Sequence, residues 1–409
     1  MIGVSPRVPA QRHFTLLSGI SRMFIHDTHL PQVLSAEAYC CPDFAKREQT
    51  ALFESAWHFG AVTTDLPKNG SFVTTKLLGR PVVLWRMDDE YHAFLNICPH
   101  RYAQVIPQAS GCGQRLACQY HGWEFDCSGS TRKIPDAPSF RPLENGTLGL
   151  TRLQVQQCGK LLFVNFDPEA SSLENQLESG FELGERLFSD DYELIWAPAI
   201  VLEMNWKIPT EITLESYHID TVHPKTFGTY ADAKFCKHEF SPNSTIYNEQ
   251  FDAGKNWLAK VGESVYRVIG YEGDNIYKHY HCYPHILLGE MAIYSWLQTM
   301  TPISPTQCLM TGRFFRYRGT KRNPLAWSMG KVVDAFGWRF FRRILNEDFG
   351  VSTSVQQSMN SPQRPDGGLI SVREERIFHF QRYIVERMKE SDSIDDSGDG
   401  LEPTRSLEV

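Results

Sequence analysis

The chain has 409 residues, of which 42% are hydrophobic and 12% aromatic, and its formal net charge is −7. This length predicts about two to three folded domains, and an acidic balance without a basic block argues against a nucleic-acid or anionic-membrane partner. No apolar run approaches the roughly 20 residues that cross a bilayer, and the apolar stretch Phe14–Leu17 is too short for a signal-peptide core.

The first part of the chain predicts a lead-in followed by an all-β domain. Residues 1–50 are rich in proline and polar residues, contain a helical stretch near Phe44–Phe53, and are expected to pack on the second domain. In residues 51–166, short β-branched and aromatic runs alternate with turn signals, which is typical of strands. The predicted strands are Ser71–Thr75, Pro81–Trp85, Tyr91–Leu95 and Leu161–Phe166.

Two short cysteine–histidine pairs lie inside this β domain. One residue separates Cys98 from His100, two separate Cys118 from His121, and seventeen lie between the pairs. Two thiolates can hold one iron of a [2Fe–2S] cluster and two imidazoles the other, which raises the reduction potential. A structural zinc site also accepts two cysteines and two histidines, but zinc pairs usually join like residues. The mixed order therefore favours the cluster over zinc.

The ten cysteines of the chain are scattered rather than arranged in a framework. This usage predicts a reduced, cytoplasmic protein instead of a disulfide scaffold. Cys112 and Cys127 flank the metal loops and are close enough in sequence to pair. The compartment argument favours free thiols at both positions.

Residues 167–388 predict a second domain in which a sheet packs against helices on one side, an α+β layer. The pattern indicates strands within 195–204 and 261–317 and one long helix over 325–359, interrupted at Gly337 and Gly350. Residues 389–409 are rich in serine, acidic residues and glycine, and predict a disordered acidic tail. Further predicted elements are helices at Ser171–Leu187 and Ile377–Met388 and strands at Ser264–Ile269, Met291–Thr299 and Phe314–Tyr317.

A second candidate metal site lies at the start of this domain. His218 and His223 are five residues apart, and a regular helix would place them about 140° apart. Because Pro224 disfavours the α conformation at His223, His223 is predicted just past the helix end and beside His218. Glu215 shares the helical face of His218. Two histidines and a carboxylate with open positions form the facial triad of Fe(II) oxygenases. The alternative is a histidine pair held only by hydrogen bonds. In that case the predicted [2Fe–2S] cluster would have no centre to receive its electrons.

The carboxylate that completes this triad is not fixed by spacing. Asp220 lies between the two histidines, but on a helix its side chain points away from His218. Glu347 and Asp348 both border the apolar stripe of the long predicted helix. Periodicity therefore leaves both of them as candidates.

These motifs, in this order, resemble the α subunit of the Rieske non-haem iron oxygenases over roughly residues 50–360. Tyr102 stands where that family often has glycine, Gln119 where proline is common, and Ile212 where a family asparagine is expected. The resemblance rests on Cys-Pro-His-Arg at 98–101, Cys-x-Tyr-His-Gly-Trp at 118–123, Asn-Trp-Lys at 205–207, Glu-x-Tyr-His-x-x-x-x-His-Pro at 215–224, and Glu-Asp at 347–348 with a glutamine eight residues on.

The resemblance implies an all-β Rieske domain and a helix-grip-like catalytic domain with an antiparallel sheet, together an α+β protein. It assigns the [2Fe–2S] cluster to Cys98, His100, Cys118 and His121, and a mononuclear Fe(II) to His218, His223 and Asp348. Glu215 falls where the family bridges the iron site to a Rieske histidine of a neighbouring subunit. Glutamate at this position resembles the choline, carnitine and glycine-betaine monooxygenase branch.

The family also implies a terminal oxygenase, assembled as a ring-shaped homotrimer. An NAD(P)H-dependent reductase or a ferredoxin would supply electrons, because no glycine-rich dinucleotide fingerprint is present. The expected reaction uses dioxygen for hydroxylation or oxidative N-demethylation of a small polar or methylammonium compound. The alternatives are ring hydroxylation of an aromatic acid, and a Rieske electron-transfer protein without oxygenase activity.

Two further groups of residues have both a functional and an ordinary interpretation. His279, His281 and His285 could form a third metal site, but pocket lining or cross-strand packing explains them better. An aromatic-rich set could cage a quaternary ammonium or hold an aromatic ring, and core packing explains each member as well. The set is Phe227, Tyr230, Phe235, Tyr271, Tyr277 and Tyr280.

Overall fold

The computed structural model describes residues 24–143, 147–227, 232–250, 266–268, 270–271, 276–319, 324–365 and 368–397. The helices are α1 (Pro42–Glu48), α2 (Leu173–Leu177), α3 (Ser179–Leu187), α4 (Lys207–Thr213), α5 (Ile219–Val222), α6 (Pro324–Met359) and α7 (Glu375–Ser397). The strands are β1 (Leu30–Pro31), β2 (His58–Val62), β3 (Ser71–Leu77), β4 (Arg80–Met87), β5 (Glu90–Leu95), β6 (Ser110–Cys112), β7 (Leu116–Ala117), β8 (Glu124–Phe125), β9 (Thr131–Lys133), β10 (Arg152–Cys158), β11 (Leu161–Asn165), β12 (Tyr192–Trp196), β13 (Ala199–Leu202), β14 (Cys236–Phe240), β15 (Ser244–Gln250), β16 (Ile276–Cys282), β17 (Ile286–Met291), β18 (Tyr294–Ser304), β19 (Gln307–Tyr317) and β20 (Leu369–Ile370).

Two antiparallel sheets build the β domain. The larger has seven strands in the order β2-β11-β10-β5-β4-β3-β6, and the smaller has three, β7-β8-β9. All four strands predicted here are confirmed as β3, β4, β5 and β11, although β11 ends one residue before Phe166. Cys98 and His100 lie in the connection after β5, and Cys118 and His121 in the connection between β7 and β8. Both metal loops are anchored in one hydrophobic core, because Cys98 and Cys118 pack in the same cluster as Trp85, Phe94 and Phe125.

An eight-stranded antiparallel sheet forms the centre of the C-terminal domain. Its order is β12-β19-β18-β17-β16-β15-β14, and β13 also pairs with β19. One face packs on the β domain together with α2 and α3, and the other carries α6 and α7, which confirms the α+β class. On the first face, Ile286 and Leu288 of the sheet pack in one cluster with Phe163 of β11 and Leu187 of α3. On the second face, Met300 and Met310 of the sheet pack in one cluster with Phe380 and Ile384 of α7. None of the described helices combines the length and apolar character that a membrane crossing needs.

The predicted helix interruptions and one predicted strand are wrong. α6 runs through both Gly337 and Gly350 without a break. A Cβ at Gly337 would lie 2.5 Å from Oη of Tyr294, so this glycine makes room for the tyrosine rather than ending the helix. Within the strand predicted at Ser264–Ile269, the described residues 266–268 are helical. The strand expected over Met291–Thr299 is divided by a turn, after which β18 begins at Tyr294.

The acidic tail is ordered further than its composition suggests. α7 continues to Ser397, so disorder from residue 389 onward is wrong for residues 389–397. Two ion pairs favour this extension. Arg387 pairs with Glu390 within the helix at 2.9 Å, and Arg47 of α1 pairs with Asp392 at 2.5 Å. Residues 398–409 lie outside the described part of the chain.

Buried polar contacts hold α4 against the N-terminal segment. Lys207 Nζ lies 2.8 Å from Oε1 of Glu48, and both side chains are almost inaccessible. Glu211 accepts hydrogen bonds from Tyr39 Oη (2.6 Å) and Gln381 Nε2 (2.9 Å), and burial raises the pKa of Glu211 to about 6. Breaking a buried pair costs several kcal/mol because it strands the other charge, so α4 has a firmly defined position.

Candidate metal centres

The two cysteine–histidine pairs lie close together, with the two thiols side by side and the two imidazole rings side by side. The Cys98 and Cys118 thiols are buried in the same core cluster, and burial, together with the neighbouring Cys118, raises the pKa of Cys98 to about 11. The rings of His100 and His121 have centroids 4.7 Å apart. Paired thiols beside paired imidazoles match a [2Fe–2S] cluster with one sulfur-ligated and one nitrogen-ligated iron.

Two equivalent turns shape the metal loops. The amide of Tyr102 donates to the carbonyl of Cys98, and the amide of Gly122 donates to the carbonyl of Cys118, each at 2.9 Å. Tyr102 and Gly122 both have positive φ, 60° and 71°. Glycine adopts this conformation without penalty, which explains why a glycine is common at the Tyr102 position. The tyrosine side chain there is 83% exposed.

The imidazole edge of this centre faces outward. His121 is exposed, whereas the two cysteines are buried in the domain core. Trp123 stacks on His100 at 5.0 Å and 6°, and Tyr120 lies against His121 at 3.8 Å between ring centroids. Electron exchange with another centre would therefore pass through the histidine side of the domain.

The second pair of histidines brackets a very short helix. The helix expected to end just before His223 is interrupted after α4, and its last part, α5, contains four residues. His218 is the N-cap of α5, and His223 is its C-cap with φ −114° and ψ 38°. The prediction that His223 lies just past the helix end is confirmed. The two rings come within 5.2 Å between centroids.

Asp348 on α6 completes the group. Its Oδ1 lies 2.8 Å from Nε2 of His223 and 3.5 Å from Nε2 of His218. The three ligand atoms are all within 4.8 Å of one another. Oδ1 is buried and accepts no hydrogen bond from any described residue. Two imidazole nitrogens and an unsatisfied carboxylate oxygen aimed at one point fit Fe(II) with open coordination positions.

Glu347 contacts the opposite side of the same histidine. Its Oε2 lies 2.8 Å from Nδ1 of His223 and accepts from Thr226 Oγ1 at 2.7 Å, while Oε1 accepts from Arg343 Nε at 2.8 Å. Burial opposes ionisation, but these three partners lower the pKa of Glu347 to about 2. A carboxylate on the far nitrogen fixes the tautomer and orientation of a metal-binding histidine. Sequence periodicity missed this role, although Arg343 four residues earlier on the helix was a usable signal.

Glu215 has the corresponding contact with His218. Its Oε1 lies 2.5 Å from Nδ1 of His218, and its other oxygen accepts from the amides of Tyr217 and His218. The Nε2 atom of each histidine is thereby left facing Asp348. Asp220 is exposed on α5, in agreement with the expectation that it points elsewhere.

The variant Glu347→Gln is expected to bind the mononuclear metal about 10- to 100-fold more weakly. The amide keeps the shape of the side chain but loses the charge that orients His223. Titration of the metal-free site with Co(II) measures the effect. Glu386→Gln, at an exposed ion pair on α7, is the matched control and should bind like the unmodified chain. Equal affinities for both variants would contradict the orienting role.

Metal affinity is expected to fall as the pH is lowered below about 9. Burial opposes protonation of His218, but contacts with Asp348 and Glu215 outweigh it and raise its pKa to about 9. A metal needs the neutral imidazole, so binding displaces a proton below that pH. The apparent dissociation constant should rise by up to about tenfold per pH unit. Proton release on Co(II) addition in weakly buffered solution checks this, and no release at pH 7 would contradict it.

The other candidate residues do not form a third metal site among the described residues. His279 contacts Arg376 at 3.3 Å, His281 Nε2 lies 2.9 Å from the Pro284 carbonyl, and His285 Nε2 lies 3.2 Å from Nδ1 of His58. None of these three histidines belongs to a group of three metal-ligating side chains among the described residues, and their contacts are those of packed core side chains. Of the aromatic set, Tyr280 packs in the core beside the β domain, and Tyr230 lies outside the described residues.

Three remaining residues have local structural roles. Cys112 and Cys127 are free thiols, and their sulfurs contact the Asn69 carbonyl and the Asp88 carboxylate. Gln356, which follows the acidic pair on α6, accepts from the Asn205 amide at 2.6 Å. That contact fixes α6 against the start of α4.

Comparison with known proteins agrees with this geometry. The family model for the Rieske [2Fe-2S] domain matches residues 56–151. The model for the ring hydroxylating alpha subunit, catalytic domain, matches residues 189–390. The first match holds both cysteine–histidine pairs, and the second holds His218, His223 and Asp348.

Individual relatives differ in how much of the chain they match. The carnitine monooxygenase oxygenase subunit of Acinetobacter baumannii is 26% identical over 46% of this chain and 51% of its own, so the chain spans about half the length of that relative. The chloroplastic choline monooxygenase of Spinacia oleracea is 24% identical over 89% of this chain and 79% of its own. A crystal structure of a quaternary ammonium Rieske monooxygenase superposes with TM-score 0.72 and 19% identity, covering 88% of this chain and 96% of the other. That likeness shows the fold.

Proposed function

The chain belongs to the α subunits of the Rieske non-haem iron oxygenases, and from that premise we propose that it is the terminal oxygenase of a multicomponent system. It would use dioxygen and electrons derived from NAD(P)H to hydroxylate, or oxidatively N-demethylate, a small organic substrate. The observation that carries this proposal is the convergence of His218, His223 and Asp348, with a buried carboxylate oxygen that no described residue satisfies.

Each site residue then has a defined task. Cys98, Cys118, His100 and His121 would hold the [2Fe–2S] cluster, and the carboxylate of Asp348 with Nε2 of the two α5-flanking histidines would hold Fe(II). When bound, the cluster supplies single electrons and the ferrous ion supplies dioxygen activation. Glu347 contacts Nδ1 of His223 and Glu215 contacts Nδ1 of His218, and each contact would fix the tautomer of its histidine.

We also propose that electron transfer joins neighbouring copies in a homotrimer. No contact among the described residues links Glu215 to either cluster histidine of the same chain. His121 and Tyr120 are exposed on the β domain, and Tyr217 beside Glu215 is 56% exposed on the other domain. Two such faces on different domains suit a head-to-tail ring. A reductase or ferredoxin of the reduced cytoplasm would supply the electrons.

The domain division that this function requires follows the chain order. Residues 51–166 would carry the cluster, residues 167–388 the mononuclear iron, and residues 1–50 would pack on the second of these. The Lys207–Glu48 ion pair at 2.8 Å supports that packing.

A methylammonium compound is the substrate class we favour. The sheet face beneath α6 presents Tyr277 and Trp296 with ring centroids 5.9 Å apart, and Tyr247 lies 5.9 Å from Tyr277. Trp296 also lies 5.9 Å from Phe341 on α6, the helix that carries Asp348, and burial raises the pKa of Tyr277. Aromatic faces attract quaternary ammonium groups by cation–π interaction. The same wall would also accept an aromatic acid, which is the second candidate.

The test is substrate-stimulated oxygen uptake driven by NADH with a surrogate reductase. Choline, glycine betaine, carnitine and a set of aromatic acids are compared, and formaldehyde release is measured in parallel. Stimulation by a methylammonium compound with stoichiometric product supports the proposal, and stimulation by an aromatic acid selects the second candidate. A chain that carries cluster and iron yet gives no product with any class would be an electron-transfer protein.

A further inference from the structure

Arg376 is a buried cation that has no carboxylate partner among the described residues. Its side chain lies in the first turn of α7 and is among the largest fully buried side chains of the protein. Among the described residues it forms no ion pair, because the neighbouring Glu375 is taken by His26 and His238 at 2.8 Å each. Burial lowers the pKa of Arg376 to about 10. An uncompensated buried charge costs several kcal/mol, so its presence calls for an explanation.

All the guanidinium nitrogens of Arg376 are directed at neutral acceptors of the protein. Nε donates to Thr245 Oγ1 at 3.1 Å, and Nη2 donates to the carbonyls of Thr245 and His279, each at 3.3 Å. Nη1 donates to the carbonyl of Leu214 at 3.4 Å. The side chain thus spans from the sheet to the end of α4, and no nitrogen is left to receive a substrate anion.

Leu214 is the residue at which the backbone leaves α4 for the metal site. It is the C-cap of α4, it is buried, and Glu215 follows it directly. The turn from Glu215 to His218 then brings the carboxylate onto Nδ1 of the histidine. A cation at a helix C-terminus interacts favourably with its free carbonyls. Because the guanidinium group is rigid and has several donors, Arg376 can hold this carbonyl in a fixed position relative to Thr245 on β15 and His279 on β16.

We propose that Arg376 is a positioning residue of the mononuclear metal site, acting through the Leu214 carbonyl on the turn that carries Glu215 and His218. Lys207 and Glu211 secure the first part of α4 against the N-terminal segment, and Arg376 secures its last residue against the sheet. The proposal rests on the metal site assigned under the proposed function. It identifies a residue far from the sequence motifs, on a different helix, as a determinant of metal affinity.

The experiment compares Arg376→Met and Arg376→Lys with Arg382→Met, an exposed arginine on the same helix that pairs with Glu386. Co(II) is titrated into protein that retains its oxidised cluster but lacks the mononuclear metal, and the Co(II) electron paramagnetic resonance signal is recorded. Arg376→Met should bind Co(II) about tenfold or more weakly with an altered signal. Arg376→Lys, whose single ammonium group can still donate to the Leu214 carbonyl, should have a Co(II) affinity between those of Arg376→Met and the unmodified chain. Arg382→Met should match the unmodified chain.

The outcomes separate this inference from the function beneath it. Unchanged Co(II) affinity and an unchanged signal in Arg376→Met, with the cluster spectrum intact, would overturn the inference. If Arg376→Met does not fold, Arg376→Lys decides, because a weaker affinity supports positioning and an unchanged one refutes it. If Asp348→Ala binds Co(II) as well as the unmodified chain does, the metal site itself is misassigned and the proposed function fails first.

Discussion

Replacing Asp348 with alanine is expected to remove the mononuclear metal and abolish turnover while leaving the cluster intact. Asp348 supplies the one carboxylate oxygen that faces both Nε2 atoms, at 2.8 and 3.5 Å. Without it, two neutral imidazoles remain, and Fe(II) loses its anionic ligand from the protein. Turnover should fall by about 1,000-fold or more. Iron content should drop from about three to about two atoms per chain, with the visible spectrum of the cluster unchanged.

The neighbouring glutamate is the control that makes this result specific. Glu347→Ala should retain a weakened metal site, because Glu347 contacts Nδ1 of His223 rather than the metal side of the ring. If Glu347→Ala lost the metal and activity while Asp348→Ala retained both, the two roles would be exchanged.

With both metal centres fully loaded, Glu215→Gln is expected to slow electron passage between them by about 10- to 100-fold. The amide occupies the same space beside Nδ1 of His218, but it lacks the negative charge that the carboxylate shares with that ring. If Glu215 also contacts a cluster histidine of a neighbouring copy, the substitution weakens both ends of the bridge. Single-turnover reoxidation of the reduced cluster, followed optically in the presence of oxygen and substrate, measures the rate.

Glu203→Gln provides the comparison for this rate, since the exposed Glu203 accepts a hydrogen bond from Gln307 at 2.8 Å and contributes to neither metal centre. It should reoxidise as fast as the unmodified chain. Reoxidation of Glu215→Gln at that same rate would remove Glu215 from the electron path.

Local sequence was sufficient to predict those parts of the metal sites whose geometry is determined by one short segment of the chain. The cysteine–histidine spacing predicted two metal loops on a β domain, and those loops do bring thiol to thiol and imidazole to imidazole. The rule that a residue before proline leaves the helix placed His223 correctly past α5. These inferences needed no knowledge of the tertiary fold.

The choice between Glu347 and Asp348 could not be made from periodicity, because adjacent helix positions that flank an apolar stripe are equivalent until the partner surface is known. α6 turns Asp348 toward Nε2 and Glu347 toward Nδ1 of the same histidine. Arg376 escaped notice for a related reason, since its partners lie 97 to 162 residues away. Gly337 was misread as a helix break because the tyrosine that it accommodates is on a distant strand.

The central claim is that one polypeptide holds a histidine-ligated iron–sulfur pair and a separate ferrous ion. Mössbauer spectroscopy of protein loaded anaerobically with ⁵⁷Fe tests it most directly. We expect two inequivalent irons from the cluster and a third, high-spin ferrous signal that disappears in the His218→Ala variant. A spectrum with the cluster irons alone, in fully loaded unmodified protein, would contradict it.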